Sequence, residues 1–469
     1  MEPTTTATAL AAAIRRSEVS PVEVAEYYLD RVDRLDGPVN SIVWRDDERL
    51  MADARAAEKQ VAEGGDLPPF LGVPIPVKEL TTAAGQPNTR GSLGFSDQVQ
   101  TEDDLCIGLL RRAGALFMGR SNSPELGPMS VSDNRRYGRT ANPWDLSRTA
   151  GGSSGGAAAA VVAGLAPAAQ ASDGGGSIRM PSSCCGTVGL KPSRGRVPQL
   201  VGAWDHGVTD GMITRSVLDA AAFLDVLSPF DPLAWYSAPQ PERPFAEEVG
   251  RDQAPLRIGL LTEAPTGLPV DPECVLAAQR LAAELERLGH VVVPATLHGY
   301  SEPAVRGYLD VIVNASLLVL PYEDASLAEP YIQHRMARGR ERHAGEYAAV
   351  DALLQIETRA VNAQWGRDWD VLLTPTMATV APPIGTVLEE ANADPEGPRV
   401  AENQMISFTS FVNIAGLPAI SLPVHRTPEG IPVGAQLVGG PFDEATLVRL
   451  AASVEPAFGW TTSLPPAFA

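Results

Sequence analysis

The chain is short of lysine, of paired histidines and of any cysteine pattern, and each shortage removes a class of protein. Four cysteines in 469 residues (Cys106, Cys184, Cys185 and Cys274) make no disulfide framework, and the adjacent pair lacks zinc-ligand spacing. They read as small buried hydrophobes in a reducing cytoplasm. Six histidines stand singly, with no His-Glu-x-x-His and no close pair on one helical face, so no metal is expected. Basic residues number 37 against 57 acidic ones, a net charge of −20, which excludes the basic face of a nucleic-acid binder. No strongly apolar run reaches the ~18 residues that a membrane-spanning helix needs. The start, Met1-Glu2-Pro3-Thr4, is acidic and has no signal-peptide pattern. The expectation is a cytoplasmic protein that engages neither membrane nor nucleic acid.

What remains is a folding sequence. Hydrophobic residues make up 44% and charged residues only 20%, while 43 glycines and 41 prolines signal many tight turns rather than disorder. Of the 37 basic residues only three are lysines: Lys59, Lys78 and Lys191. Surface solvation is left to arginine, so a lysine inside an apolar run stands out, because lysine alone of the two can lose its proton. Lys78, between Val77 and Leu80, is the one lysine so placed.

Strand and helix patterns alternate. Ser20-Pro21-Val22-Glu23 opens a helix over 20–35 with a capping box, and a charged, alanine-rich helix spans 46–62. Leu71 to Val77 is too proline-rich for a central strand. A helix and a short strand follow over 104–119, then a long polar loop over 121–149. Ser216 caps another helix, and 256–261, 271–288 and 291–293 form a strand–helix–strand unit closed by Gly289. Late strands at 369–373, 419–422 and 433–438 complete an α/β pattern with a largely parallel or mixed sheet.

Two glycine-rich stretches carry the chemistry. Gly151-Gly-Ser-Ser-Gly-Gly156 taken alone reads equally well as a flexible linker. It has neither the Lys-Ser/Thr ending of a phosphate loop nor a G-x-G-x-x-G register, and it matches the G-x-S-x-G elbow only formally, lacking the buried strand that must precede it. Further on stands Ser172-Asp-Gly-Gly-Gly-Ser-Ile-Arg179. Successive glycines let several backbone N–H groups turn inward together, a nest suited to a developing oxyanion, although an ordinary turn has the same composition.

Taken together these stretches, with Val188-Gly-Leu-Lys-Pro-Ser-Arg-Gly-Arg-Val-Pro198, resemble the amidase signature family. Gly72-Val-Pro-Ile-Pro-Val-Lys78-Glu, Ser121-Asn-x-Pro-Glu125, Asn142-Pro-Trp144, Thr374-Pro-Thr376 and Asn413-x-x-Gly-Leu-Pro-Ala419 match its other landmarks, so the likeness covers most of the chain. Residues around Leu256-Arg-Ile-Gly and Asp271-Pro-Glu-Cys274 are similar to bacterial hydrolases of nylon-type cyclic amide oligomers and to related urethane-cleaving amidases.

The resemblance implies one large α/β domain over 1–469, a central mixed, twisted sheet covered by helices on both faces. Its segments would be a helical N-terminal part to residue 65, a signature core over 66–227, a Pro-rich connection over 228–255, a βα and pocket region over 256–400, and a part returning to the sheet over 401–469. It implies an amide-bond hydrolase working through a serine acyl-enzyme without cofactor. Ser177 would be the nucleophile, Ser153, after a cis peptide, the bridging serine, and Lys78 the base. The N–H groups of Gly174, Gly175, Gly176 and Ser177 would form the oxyanion hole, with Asp173 and Arg179 holding the loop and Ser154 orienting the triad.

Gly174 departs from the family's usual Thr or Ile, which bears on the rigidity of the nest. Met129 and Tyr137 are expected on the acyl side, with Tyr308, Ile312, Leu317 and Met405 as further pocket candidates. The substrate would be a small amide or carbamate, and the protein a monomer or homodimer. A glutaminase-type subunit of a tRNA-dependent amidotransferase and a catalytically degenerate relative are the alternatives.

Overall fold

The computed structural model describes residues 1–469. The N-terminal helix reading holds: Pro21–Leu35 is helical, with Glu23 N donating to Ser20 Oγ (3.1 Å) and Ser20 N to Glu23 Oε2 (2.8 Å). A second helix spans Asp47–Glu63. A three-stranded sheet then forms from β1 (Ile42–Trp44), β2 (Pro74–Lys78) and β3 (Leu116–Ser121), in the order β1-β3-β2. The proline-rich run is therefore a strand after all. It lies at the sheet edge and pairs only with β3, where a missing proline N–H costs no ladder bond on a far side.

The main sheet has eight strands. In chain order they are β4 (Ala168–Asp173), β5 (Val188–Lys191), β6 (Thr209–Thr214), β7 (Arg257–Leu260), β8 (Val291–Pro294), β9 (Val371–Pro375), β10 (Ala419–Arg426) and β11 (Pro432–Val438). Their spatial order is β8-β7-β9-β11-β10-β5-β6-β4. The pairs β7–β8 and β7–β9 are parallel and the remaining five antiparallel, so the sheet is mixed, as the strand–helix alternation predicts. The helix Pro272–Arg287 supplies the crossover from β7 to β8, opening on Asp271 as its cap. That helix and the short helix Arg179–Cys185 both pack on β10 and β11.

The polar stretch 121–149 is more ordered than its composition suggests. It folds into two small ladders, Asp133–Asn134 with Gly138–Arg139 and Ala141–Asn142 with Asp145–Thr149, and most of it from Ser121 to Asn134 is buried. Asn122 and Asn134 supply the reason. Their side-chain amides satisfy the carbonyls of Ser132, Gly138 and Ser123, which lets polar backbone leave water. All four cysteines are buried and unpaired.

Polar groups are also built into the core as charged pairs. Glu79 and Arg120 are fully buried 3.0 Å apart, and Glu79 also accepts from Thr89 N and Oγ1. Removing one partner of such a pair strands the other charge in low dielectric. Glu79→Ala is expected to lower unfolding free energy by about 3–5 kcal/mol in a denaturant titration. The double replacement Glu79→Leu with Arg120→Met should recover much of that loss.

Candidate active site

Three chain segments converge beside β4. β2 ends at Lys78, whose backbone N–H donates to Gln170 Oε1 of β4 (3.0 Å). Ser153 precedes the helix Gly155–Val162, eight residues with small or β-branched side chains and all buried, which sits on β4 and against the helix Arg179–Cys185. Ser177 lies between the end of β4 and that second helix. The peptide between Gly152 and Ser153 is cis. A Cβ at Gly152 would collide with the backbone of Val131, so glycine is what allows this approach.

Lys78 is fully buried, and its Nζ lies 2.7 Å from Ser153 Oγ, 3.1 Å from Ser172 Oγ and 3.2 Å from Ser172 O. All three partners are neutral oxygens. Burial lowers the amine from its ordinary value of 10.5 to about 7, against the opposing pull of Asp173 and Asp210. Ser154 Oγ donates to the same Ser172 carbonyl (3.2 Å), and its N–H donates to Ser177 O (3.2 Å). No hydrogen bond joins the Ser153 and Ser177 hydroxyls; the two serines meet on the wall of one cavity. Such links are often long before substrate binds.

The glycine turn is held from outside. Asp173 and Arg179 form a fully buried pair at 2.9 Å, and Arg179 also donates to Asn413 Oδ1, Thr409 O and Gln436 Oε1. Burial acts to raise the Asp173 carboxyl, but the Arg179 guanidinium overrides it and holds the group well below the ordinary range. Asp173 Oδ1 accepts from Gly176 N–H (2.7 Å). That corrects one expectation: the Gly176 N–H is already committed to a carboxylate, which leaves Gly174, Gly175 and Ser177 of the expected set.

Three carbonyls of the turn, those that precede Gly174, Gly175 and Gly176, are each gripped by a different side chain. Asn413 Nδ2 donates to Asp173 O (2.9 Å), Tyr308 Oη to Gly174 O (2.9 Å) and Thr409 Oγ1 to Gly175 O (2.6 Å). In a planar trans peptide the N–H points opposite to the carbonyl, so holding one aims the other. Gly174 has a second neighbour. A Cβ there would stand 2.7 Å from the Trp204 indole and 2.9 Å from Val208, so the indole fills the space a side chain would take.

Of the other expected residues, Met129 and Tyr308 line the cavity at Ser177 and Leu317 lines its larger continuation, whereas Ile312 and Met405 are core. Tyr137 turns away and hydrogen-bonds Thr89 (3.0 Å). Sequence reasoning missed Ser172, Gln170, Trp204, Thr409 and Asp210. Ser172 adjoins the glycine motif and was within reach; Trp204 and Asp210 arrive from a distant loop and strand with no local mark.

A family model described as Amidase matches residues 23–448. The chain belongs to the amidase signature family. The 6-aminohexanoate-cyclic-dimer hydrolase of Pseudomonas sp. (strain NK87) is 34% identical to it over 483 residues, covering 98% of this chain and 96% of that protein. The acylamidase of Rhodococcus erythropolis is 34% identical over 471 residues, with 98% and 96% covered. A solved structure of 6-aminohexanoate cyclic dimer hydrolase complexed with substrate matches this amidase with a TM-score of 0.93 at 31% identity, covering 100% of both chains.

The depressed Lys78 amine has a consequence for the amidase fold itself. Between pH about 7 and ~10.4 the unfolded lysine holds a proton that the folded one has released, so this residue makes stability rise with pH across that window. Lys191, buried and also lowered to about 7, acts with the same sign. Lys78→Met should therefore melt higher than the parent near pH 6, with the difference shrinking towards pH ~10 in thermal scans.

Proposed function

We propose that this amidase cleaves amide and carbamate C–N bonds through an acyl-enzyme on Ser177, with Ser153 and Lys78 as its proton relay. The observation that carries the reading is the buried amine of Lys78 at 2.7 Å from Ser153 Oγ, lowered by burial to about 7 so that a substantial share is uncharged at neutral pH. A serine hydroxyl needs its proton removed to attack, and no histidine is at hand to do it.

Neutral Lys78 takes the Ser153 proton while Ser153 takes that of Ser177, and Ser177 Oγ bonds to the carbonyl carbon. The oxyanion forms against the N–H groups of Gly174, Gly175 and Ser177, where one aimed donor is worth roughly 3–4 kcal/mol. As the C–N bond breaks, the proton held by Lys78 returns through Ser153 to the departing nitrogen. Water then enters and repeats the relay, releasing the acid and restoring Ser177. Neither an ester-type oxygen nor a carbon beside the carbonyl is singled out by any residue near Ser177, which supports carbamates beside amides. The absence of cysteine pairing supports a reducing, cytoplasmic setting.

Ser177→Ala should abolish both turnover and the covalent adduct seen by intact mass with a slow-deacylating substrate. Lys78→Arg should lose nearly all activity, because arginine cannot deprotonate. The parent's kcat/KM should rise with pH through a midpoint near 7; activity peaking near pH 5 contradicts a lysine base. Tyr308, which touches the nest only through Gly174 O, is a positioning residue. Tyr308→Phe should cut kcat about tenfold while KM stays within about twofold and the pH midpoint is unmoved, since one loosened donor sits below the full loss of about 100-fold or more.

A further inference from the structure

The space around Ser177 is two cavities, not one. A narrow one of about 50 Å³ runs past Met129, Tyr308 and Val313 towards Tyr331. A wider one of about 310 Å³ runs past Leu105, Leu126 and Leu317 to a rim where Leu200, Val201 and Val319 are 81%, 76% and 82% exposed. Four residues border both: Gly127, Gly174, Ser177 and Trp204. Trp204 is thus the partition. Its indole lies over Gly174 and edge-on to Tyr308, with ring centroids 6.5 Å apart. It stands at the start of three consecutive residues, Trp204, Asp205 and His206, in the left-handed region.

Both cavities carry charged side chains, Arg90, Asp104 and Asp210 in the wide one and Arg335, Arg399 and Glu402 in the narrow one. In the narrow one the charged side chains are tied to each other or to neighbouring oxygens. Arg335 donates to Asn314 Oδ1, Tyr331 Oη and Leu309 O, while Arg399 pairs with Glu402 at 3.0 Å. No free charge is left there for a ligand. The relay decides which half of a substrate goes where. A departing amine must collect its proton from Ser153, and Ser153 borders only the wide cavity. The acyl carbon chain, on the other side of the carbonyl, then has the narrow one.

Resting on the acyl-enzyme reading above, we infer that this enzyme takes substrates with a short, uncharged acyl group and a bulky amine whose far end meets the apolar rim, with Trp204 as the residue that sets the acyl limit. The narrow cavity, about 50 Å³ against about 310 Å³ for the wide one, leaves the acyl chain the smaller space. The wide cavity, open through an apolar rim, admits an aromatic amine and whatever extends beyond it.

Two series on the purified full chain test this. The first is straight-chain acyl 4-nitroanilides from acetyl to octanoyl, in which only the acyl length changes. The second is N-methyl, N-benzyl and N-naphthylmethyl acetamides, whose amines are of similar leaving ability. The expected result is a kcat/KM that peaks between acetyl and butyryl and falls at least tenfold by hexanoyl, and that rises across the second series. Trp204→Ala should move the acyl optimum to longer chains. A kcat/KM that climbs to octanoyl, or a flat profile in either series, overturns the assignment even while an acyl adduct on Ser177 is detected. Failure to detect any adduct with any substrate would instead remove the acyl-enzyme reading, and this inference with it.

Discussion

The site depends on an amine buried where no carboxylate neutralises it. Lys78 reaches only neutral oxygens, and the nearest strong anion, Asp173, is absorbed by Arg179 and Asn413. Had Asp173 been free to face the lysine, an ion pair would have fixed the ammonium form and removed the proposed base. The arginine cage therefore serves two ends. It pins the glycine turn, and it holds Asp173 out of a direct ion pair with Lys78, so that burial outweighs the carboxylate's pull on the amine. Asp210, lifted by burial to about 6, is the remaining acid near the amine, and its oxygens are engaged by Gln170 and Gln199.

Lys191 provides an internal comparison. It too is fully buried and lowered to about 7, yet its Nζ donates to the carbonyls of Pro192 and Leu417, at 2.8 Å each. Burial, helped by Arg179 and Arg194, thus lowers a lysine that has no place in the proposed relay. What separates the two is a hydroxyl within reach that opens on a cavity. The same logic applies to the glycine turn: three glycines in a row permit many conformations, and the three gripped carbonyls select one. Side chains from the 308, 409 and 413 regions supply the grip, so the N–H groups of Gly174, Gly175 and Gly176 are oriented by residues more than 130 positions away in the chain.

Much of this was legible in the sequence, and the parts that were not share a cause. The cap at Ser20, the strand–helix–strand unit after Leu256 and the late strand pair are local patterns, and they fold as patterned. Lys78 stood out because lysine is so scarce. By contrast, Pro74 and Pro76 argued against a strand until the edge position of β2 made them harmless. The polar stretch after Ser121 read as loop because nothing local shows that Asn122 and Asn134 satisfy its backbone. The Gly176 N–H counted as a free donor because its acceptor, three residues earlier, folds back on it only when Arg179 holds Asp173 in place. Trp204 over Gly174 is a long-range contact of the same kind. It answers why a side chain is missing from the nest, which the sequence posed and had no means to resolve.

The central claim is the charge state of one amine, and the scarcity of lysine makes it directly observable. With lysine labelled at the ε-nitrogen, NMR of the folded protein contains three side-chain signals, from Lys59, Lys78 and Lys191. Comparison with the Lys78→Met variant identifies the one that matters. A Lys78 midpoint near 7 is the result predicted here, and a midpoint near the ordinary 10.5 would contradict the account.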